Sequence, residues 1–247
     1  MENPQIIQEN KYSLPYHYIP TFDKNNFRQT YNIKWGYEYI SYLNFIIKLI
    51  KNINFDSLLD IGCGDGRLLS EINKIFPEKK LTGVDYSTRA IQLAKALNNK
   101  IDFICLDINK NNLNKKYDII TLMEVLEHIP LNKINNFISH VHNLAANNGY
   151  LIMTVPSNNE KIASHHYQHF DYQLIENCLR NYFKIEKFFY INKSSSNVSI
   201  ISKLLTNKYF ILNSRYLLNK IYNFYIKHCF VAKNNNARRI CVICKKI

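Results

Sequence analysis

The sequence predicts an α/β fold built on a doubly wound, mostly parallel sheet, and three observations predict it. An apolar run, Leu58 to Ile61, leads into glycines at alternating positions, Gly62, Gly64 and Gly66. An apolar pattern of helical period follows at Leu68, Leu69, Ile72, Ile75 and Phe76. Further apolar runs recur along the chain, several with an acid at or just past their ends, and amphipathic stretches separate them. Strand, glycine turn and helix in this order form the usual entry to a nucleoside- or phosphate-binding sheet. Strands alternating with helices imply parallel pairing.

The elements follow in order. Residues 1–33 are rich in Tyr, Asn and Pro, as in Lys11-Tyr12-Ser13-Leu14-Pro15-Tyr16-His17-Tyr18-Ile19-Pro20, and read as an ordered but irregular lid. Tyr39, Leu43, Ile46, Ile47 and Ile50 have helical spacing within residues 35–51. Strands are expected at 58–61, 81–85, 101–105, 117–122 and 149–156, with helices at about 66–76, 87–98, 131–146 and 171–182. Late strands at 184–191 and 239–245 would make an antiparallel edge hairpin and bring the total to seven. Between them, residues 192–236 open on Ser194-Ser195-Ser196-Asn197 and then turn amphipathic and aromatic. This stretch is expected to be a helical insertion that caps the site or makes a dimer contact. The division is therefore a lid and helix over 1–56 and a core over 57–247. No internal repeat is visible.

Length and composition narrow the class. The 247 residues suffice for one domain with a large core. No run reaches the roughly 20 apolar residues of a membrane span, and the polar start Met1-Glu2-Asn3-Pro4-Gln5 is unlike a signal peptide. The six cysteines are scattered, which suits reduced thiols and a cytoplasmic location. Cys241-Val242-Ile243-Cys244 has C-x-x-C spacing but lies in an apolar strand pattern with no second pair, and reads as two strand cysteines. The net charge of +13 suits an anionic, nucleotide-linked partner. The lysines are dispersed, however, and the chain is saturated with Asn, Lys and Ile, as an AT-rich genome would produce. Charge alone is thus no sign of nucleic acid.

The glycine turn refines the reading. A dinucleotide fingerprint would need Gly at position 67, where Arg67 stands, and an acid, Asp60, lies two residues before Gly62. Asp60-x-Gly62-x-Gly64-x-Gly66 resembles the first motif of class I S-adenosylmethionine (SAM)-dependent methyltransferases, and the likeness extends over roughly residues 35–190. It implies a Rossmann-like seven-stranded sheet and SAM as cofactor. Gly62, Cys63 and Gly64 would approach the methionyl part, and Asp60 would orient its ammonium. Asp85 lies about 20 residues past the turn, where an acid accepts from ribose hydroxyls. Tyr86 would pack on the adenine, Asp107 would contact its amino group, and the backbone of Ile108 a ring nitrogen. Met123, ending the fourth strand, completes the expected cofactor contacts.

Glu124-x-x-Glu127-His128 is the sharpest local constellation. On a helical turn these positions share a face, and carboxylates with an imidazole suit Mg²⁺, Mn²⁺, Fe²⁺, Co²⁺ or Zn²⁺. His165-His166-Tyr167-Gln168-His169 follows the fifth strand. The expected metal set is Glu124, Glu127, His128 and His169, and the expected catalytic residues are His166, His169 and Glu124. The same residues can also pack and hydrogen-bond around a cofactor without metal, leaving a histidine as general base. The E-x-x-E-H motif resembles that of ubiquinone-pathway O-methyltransferases, which act on a catechol-like ring. It also resembles that of small-RNA 3′-terminal 2′-O-methyltransferases, whose H-x-x-D-H-x-F-like run is partly echoed by His166-Tyr167-Gln168-His169-Phe170. Gln168 replaces the Asp there, and Tyr172 stands where a Trp is expected. The run from Pro156 through His169-Phe170 to Leu174 looks like a segment of methyltransferases from polysaccharide and secondary-metabolite pathways. The expectation is metal-assisted O-methylation of a sugar, sugar nucleotide or related polyhydroxylated metabolite. RNA, a catechol-like ring and a silent SAM-binding regulator are the alternatives, and a homodimer is possible.

Overall fold

The computed structural model describes residues 21–23, 26–28, 33–110, 113–206, 209–210, 212 and 214–247, with side chains from Gly36 onward. The lid expected over residues 1–33 lies outside the described residues, apart from a short antiparallel pair, β1 (Thr21–Asp23) and β2 (Asn26–Arg28). Helix α1 (Ile33–Ile50) precedes the central sheet.

The sheet is assembled from β3 (Ser57–Ile61), α2 (Arg67–Ile75), β4 (Lys80–Asp85), α3 (Thr88–Leu97), β5 (Asp102–Cys105), β6 (Tyr117–Met123), α4 (Leu131–Leu144) and β7 (Ala145–Pro156). It is completed by α5 (Tyr172–Leu179), β8 (Phe183–Lys193) and β9 (Ala237–Lys246). The strand order is β5-β4-β3-β6-β7-β9-β8. The first five strands are parallel, and β9 is antiparallel to both β7 and β8. Seven strands and the antiparallel edge are as the sequence predicts. The winding reverses between β3 and β6, so a crevice opens at their carboxyl ends.

Strand periodicity explains the two cores. Leu58, Ile119 and Ile152 face one side with α1, α2 and α3. Leu59, Ile61, Ile120, Leu122, Leu151 and Met153 face the other with α4 and α5. Alternation along a pleated strand puts neighbours on opposite faces. The same rule separates Cys241 and Cys244, which are three residues apart and join opposite cores, so they share no metal site. All six cysteines are free thiols.

The bounds of β7 and α5 differ most from expectation. β7 starts at Ala145 rather than Gly149, because Ala145 already pairs with Tyr117 before a register shift, near which Asn148 takes a φ of 62°. Helix α5 stops at Leu179, with Asp171 outside it as cap, its carboxylate accepting from Leu174 N at 2.8 Å. The insertion is helical, with α6 (Ser196–Leu205), α7 (Arg215–Tyr225) and a π-turn at Ile226–Phe230. It leaves the sheet at Lys193, opposite Ala237, on the carboxyl edge of the parallel strands. Among the described residues no helix is long and apolar enough to cross a membrane.

Candidate active site

The glycine turn shapes the crevice. Gly62 has a φ of 73°, and a Cβ there would stand 2.7 Å from Val125 Cγ2. Gly66 has a φ of 76°, and its Cβ would meet Phe103 Cζ at 2.5 Å. Only glycine takes this backbone without strain and leaves the space open. The turn is sewn to β4: Gly62 N and Cys63 N both donate to Val84 O, at 2.8 and 3.0 Å. Gly64 N donates to Asp85 Oδ2 at 3.0 Å, and Ser87 N donates to Asp85 Oδ1 at 2.9 Å. Asp85 is thus held by one backbone donor on each oxygen, and a carboxylate has further lone pairs to offer.

A cavity of about 310 Å³ opens over this turn. Gly62, Asp85, Tyr86, Asp107, Ile108, Glu124 and His128 line it, as do Val125, Ile129 and Phe137. Asp60, Cys63, Gly64 and Met123 are not part of its lining. Asp60 lies buried beneath the turn, where Thr121 Oγ1 donates to its Oδ1 at 2.6 Å. Burial pushes the Asp60 carboxyl up to about 7, against the opposing hydrogen bond from Thr121. Cys63 is buried too, and its thiol is pushed up by burial, which argues for packing rather than reactivity.

The raised Asp60 pKa has a stability consequence. The folded state holds a proton that the unfolded state releases near 3.8, so this contribution is full below 3.8 and is lost as pH rises to about 7. Thermal melts of Asp60→Asn should show a flatter pH profile across that window than the parent, by up to a few kcal/mol. Parallel profiles would refute the raised pKa.

Glu124 does not lie on a helical turn with Glu127 and His128. It takes a φ of 57° at the end of β6, and the helical turn starts only at Leu126. That left-handed residue sends the carboxylate to Arg239 of β9, with Arg239 Nη2 to Glu124 Oε2 at 2.9 Å. Arg239 also lies over the Tyr42 ring at 4.6 Å. Burial opposes its charge, but the surrounding groups, the Glu124 carboxylate foremost, together outweigh this and raise its pKa. Arg239 is the partner that sequence reasoning missed. The signal was present, since an Arg entering the apolar run Ile240-Cys241-Val242-Ile243 needs a buried counter-charge.

The cluster that does form is Glu127, His128 and His166, whose donor atoms lie within 4.8 Å of one another. Glu127 is buried. His169, the expected fourth ligand, stands behind this cluster. Its Nδ1 donates to Glu160 O at 2.9 Å, which leaves Nε2 to accept from His166 Nδ1, also at 2.9 Å. His166 therefore keeps its lone pair on Nε2. His128 Nδ1 likewise donates to His165 O at 2.9 Å, so its Nε2 carries the lone pair. Two backbone carbonyls thus set the tautomers of three rings, the arrangement that prepares histidines to bind a metal or accept a proton.

The sequence model of a family described as "Methyltransferase domain" matches residues 30–189. The chain belongs to that family. SAM is the family's cofactor and methyl donor. Among curated relatives, the methyltransferase is 33% identical over 94 residues to a ubiquinone biosynthesis O-methyltransferase of Nitrosomonas europaea, which is 36% of this chain and 39% of that one. It is 34% identical over 65 residues to a malonyl-[acyl-carrier protein] O-methyltransferase of Bacillus cereus, 26% of this chain and 24% of that one. The chain thus spans well under half the length of these relatives. Among solved structures, the N-methyltransferase NodS of Bradyrhizobium japonicum WM9 in complex with S-adenosyl-L-homocysteine superposes with a TM-score of 0.63 over 99% of both chains, at 14% identity. This last likeness concerns the fold.

The residues present suit the donor. The turn offers a cradle that a Cβ at position 62 would fill, Asp85 offers a fixed acceptor, and the half-exposed Tyr86 offers a ring face. Gly62→Ala tests the cradle. Left-handed backbone costs roughly 1–2 kcal/mol for a residue with a Cβ, and the methyl would also displace Val125. The variant should melt lower and bind SAM at least about tenfold more weakly; unchanged affinity would show that the donor does not use the turn.

Proposed function

We propose that this methyltransferase transfers the SAM methyl group to a hydroxyl of a sugar, sugar nucleotide or related polyhydroxylated metabolite, with a divalent metal at Glu127, His128 and His166. The observation that carries the reading is this three-residue cluster beside the donor cavity, with its histidine tautomers already set. Asp85 and the Gly62 backbone would hold the donor, with Asp60 bracing the turn from beneath and with Asp107 and Ile108 at the base. The acceptor would approach from the side of His128 and Glu124. A divalent ion bound at the cluster supplies Lewis acidity, which makes a vicinal diol a competent nucleophile near neutral pH. Arg239 fixes Glu124 at the rim of the cavity, where its carboxylate can accept from a second acceptor hydroxyl. A catechol-like acceptor is the second reading, favoured by the ubiquinone-pathway relative; it presents the same pair of neighbouring oxygens.

The division into a lid and helix over 1–56 and a core over 57–247 belongs to this reading. So does a cytoplasmic location, which the six free cysteines support. The test is transfer of labelled methyl from SAM to sugar nucleotides, a catechol and a small RNA, each with and without EDTA. Label in sugar nucleotides that is lost with EDTA supports the proposal. Label in the catechol or the RNA reassigns the acceptor. Transfer unaffected by EDTA removes the metal and leaves His166 Nε2 as general base.

A further inference from the structure

Helix α7 carries two apolar faces where packing against the fold needs one. Its inner face is buried through Tyr225, whose ring meets Tyr37 edge-on at 4.8 Å and whose hydroxyl accepts from Asn192 Nδ2 at 3.0 Å. On the same side, Asn44 Nδ2 donates to Tyr222 Oη at 3.0 Å. The outer face holds Tyr216, Leu217 and Phe224, which are 68%, 46% and 43% exposed. Tyr216, Lys220 and Phe224 recur at every fourth position, and Leu217 and Lys227 fall at helical spacing beside them, so they form one stripe. Contacts along it are continuous: Lys220 Nζ lies 5.3 Å from the Tyr216 ring centre, and the Phe224 and His228 rings are 4.8 Å apart. Charge along the insertion has one sign. From Lys193 to Asn236 the sequence holds seven Lys and Arg residues and no Asp or Glu.

We infer that the α7 face is a docking surface for an anionic lipid bilayer. Aromatic and aliphatic side chains flanked by lysines on a convex helix match the interfacial zone, where rings and alkyl chains sit at the headgroup boundary and ammonium groups meet lipid phosphates. A second copy is a poor occupant, since two such faces would oppose uncompensated positive charge. A nucleic acid is a poor one as well. Leu217, and the 62%-exposed Ile200 of α6, offer hydrocarbon that bases do not stack on. The insertion leaves the sheet on the edge where the donor cavity opens. Docking there would hold that edge close to the bilayer.

Flotation of the full-length protein with phosphatidylcholine vesicles, with or without phosphatidylglycerol, tests this. Binding is expected only to the anionic vesicles and should fall as salt rises. Leu217→Ser/Phe224→Ser and Lys220→Glu/Lys227→Glu should each weaken it by roughly tenfold or more, with melting temperature and SAM affinity unchanged. Equal binding to both vesicle types, no binding, or variants that bind like the parent would overturn the inference. So would variants whose defect is a lost dimer on size exclusion or lost binding of an RNA oligomer.

Discussion

Glu127→Gln should reduce turnover by about a thousandfold or more while leaving the SAM dissociation constant within about threefold. The substitution keeps the shape of a side chain that is 1% exposed, so the core around it need not collapse. What it removes is the only carboxylate of the Glu127–His128–His166 cluster. An amide is a weak ligand for a divalent ion and no counter-charge for a protonated histidine, so either chemistry at this cluster would fail. Glu127 is not among the residues lining the cavity over the glycine turn, whereas Asp85 and Gly62 are. Isothermal titration with SAM and steady-state kinetics on the same preparation separate the two effects. His169→Asn provides the graded comparison. It breaks the chain from Glu160 O to His166 without touching the cluster's donor atoms, and outer partners of this kind typically contribute 10–100-fold. Equal loss of SAM affinity and turnover in Glu127→Gln would assign Glu127 to donor binding. Unchanged turnover would end the reading of the cluster as catalytic.

The glycine turn and the acid that ends β4 were legible in the sequence because their signals are local. Asp60, the glycine turn and Asp85 each sit at a strand end or in the turn that follows it, and one strand register brings Gly62 and Asp85 to the cavity while Asp60 lies buried beneath the turn. The apolar runs fixed which strands exist, and period-two alternation fixed which face each residue takes. The acceptor half was less legible because long-range contacts decide it. Glu124-x-x-Glu127-His128 reads as a single helical face, yet a positive φ at Glu124 breaks that face, and the ion pair to Arg239 joins residues more than a hundred positions apart. His166 and His169 are indistinguishable as ligands by type and spacing. The carbonyl of Glu160 separates them by claiming one nitrogen of His169, and no periodicity foretells which carbonyl a loop will present. The insertion was predictable as helix from its amphipathic pattern. That its inner face would pack on α1, leaving a second apolar face outside, follows only from the tertiary contacts of Tyr222 and Tyr225.

Asp85→Ala should weaken SAM binding by roughly a hundredfold to ten-thousandfold. The carboxylate sits at the end of β4, where the fold presents an acceptor to a pair of ribose hydroxyls, and hydrogen bonds to a charged group contribute about 1.5–3 kcal/mol each. Two such bonds give about 3–6 kcal/mol, and each 1.4 kcal/mol is a tenfold change in the dissociation constant. The substitution has a second effect, set by the backbone hydrogen bonds that Asp85 accepts. Gly64 N and Ser87 N both lose their acceptor, the first in the glycine turn and the second at the cap of α3. Each orphaned donor costs about 1–3 kcal/mol where water cannot replace the partner. The variant should therefore melt lower as well, and SAM should restore less of its stability than it does for the parent. Asp85→Asn separates the two effects. One amide oxygen can still accept from a single backbone N–H, so stability should recover in part, while the uncharged group leaves donor affinity low. Calorimetry and melting curves on the three proteins decide the matter. A dissociation constant for Asp85→Ala within threefold of the parent would show that the donor is held elsewhere and that Asp85 serves only to brace the turn.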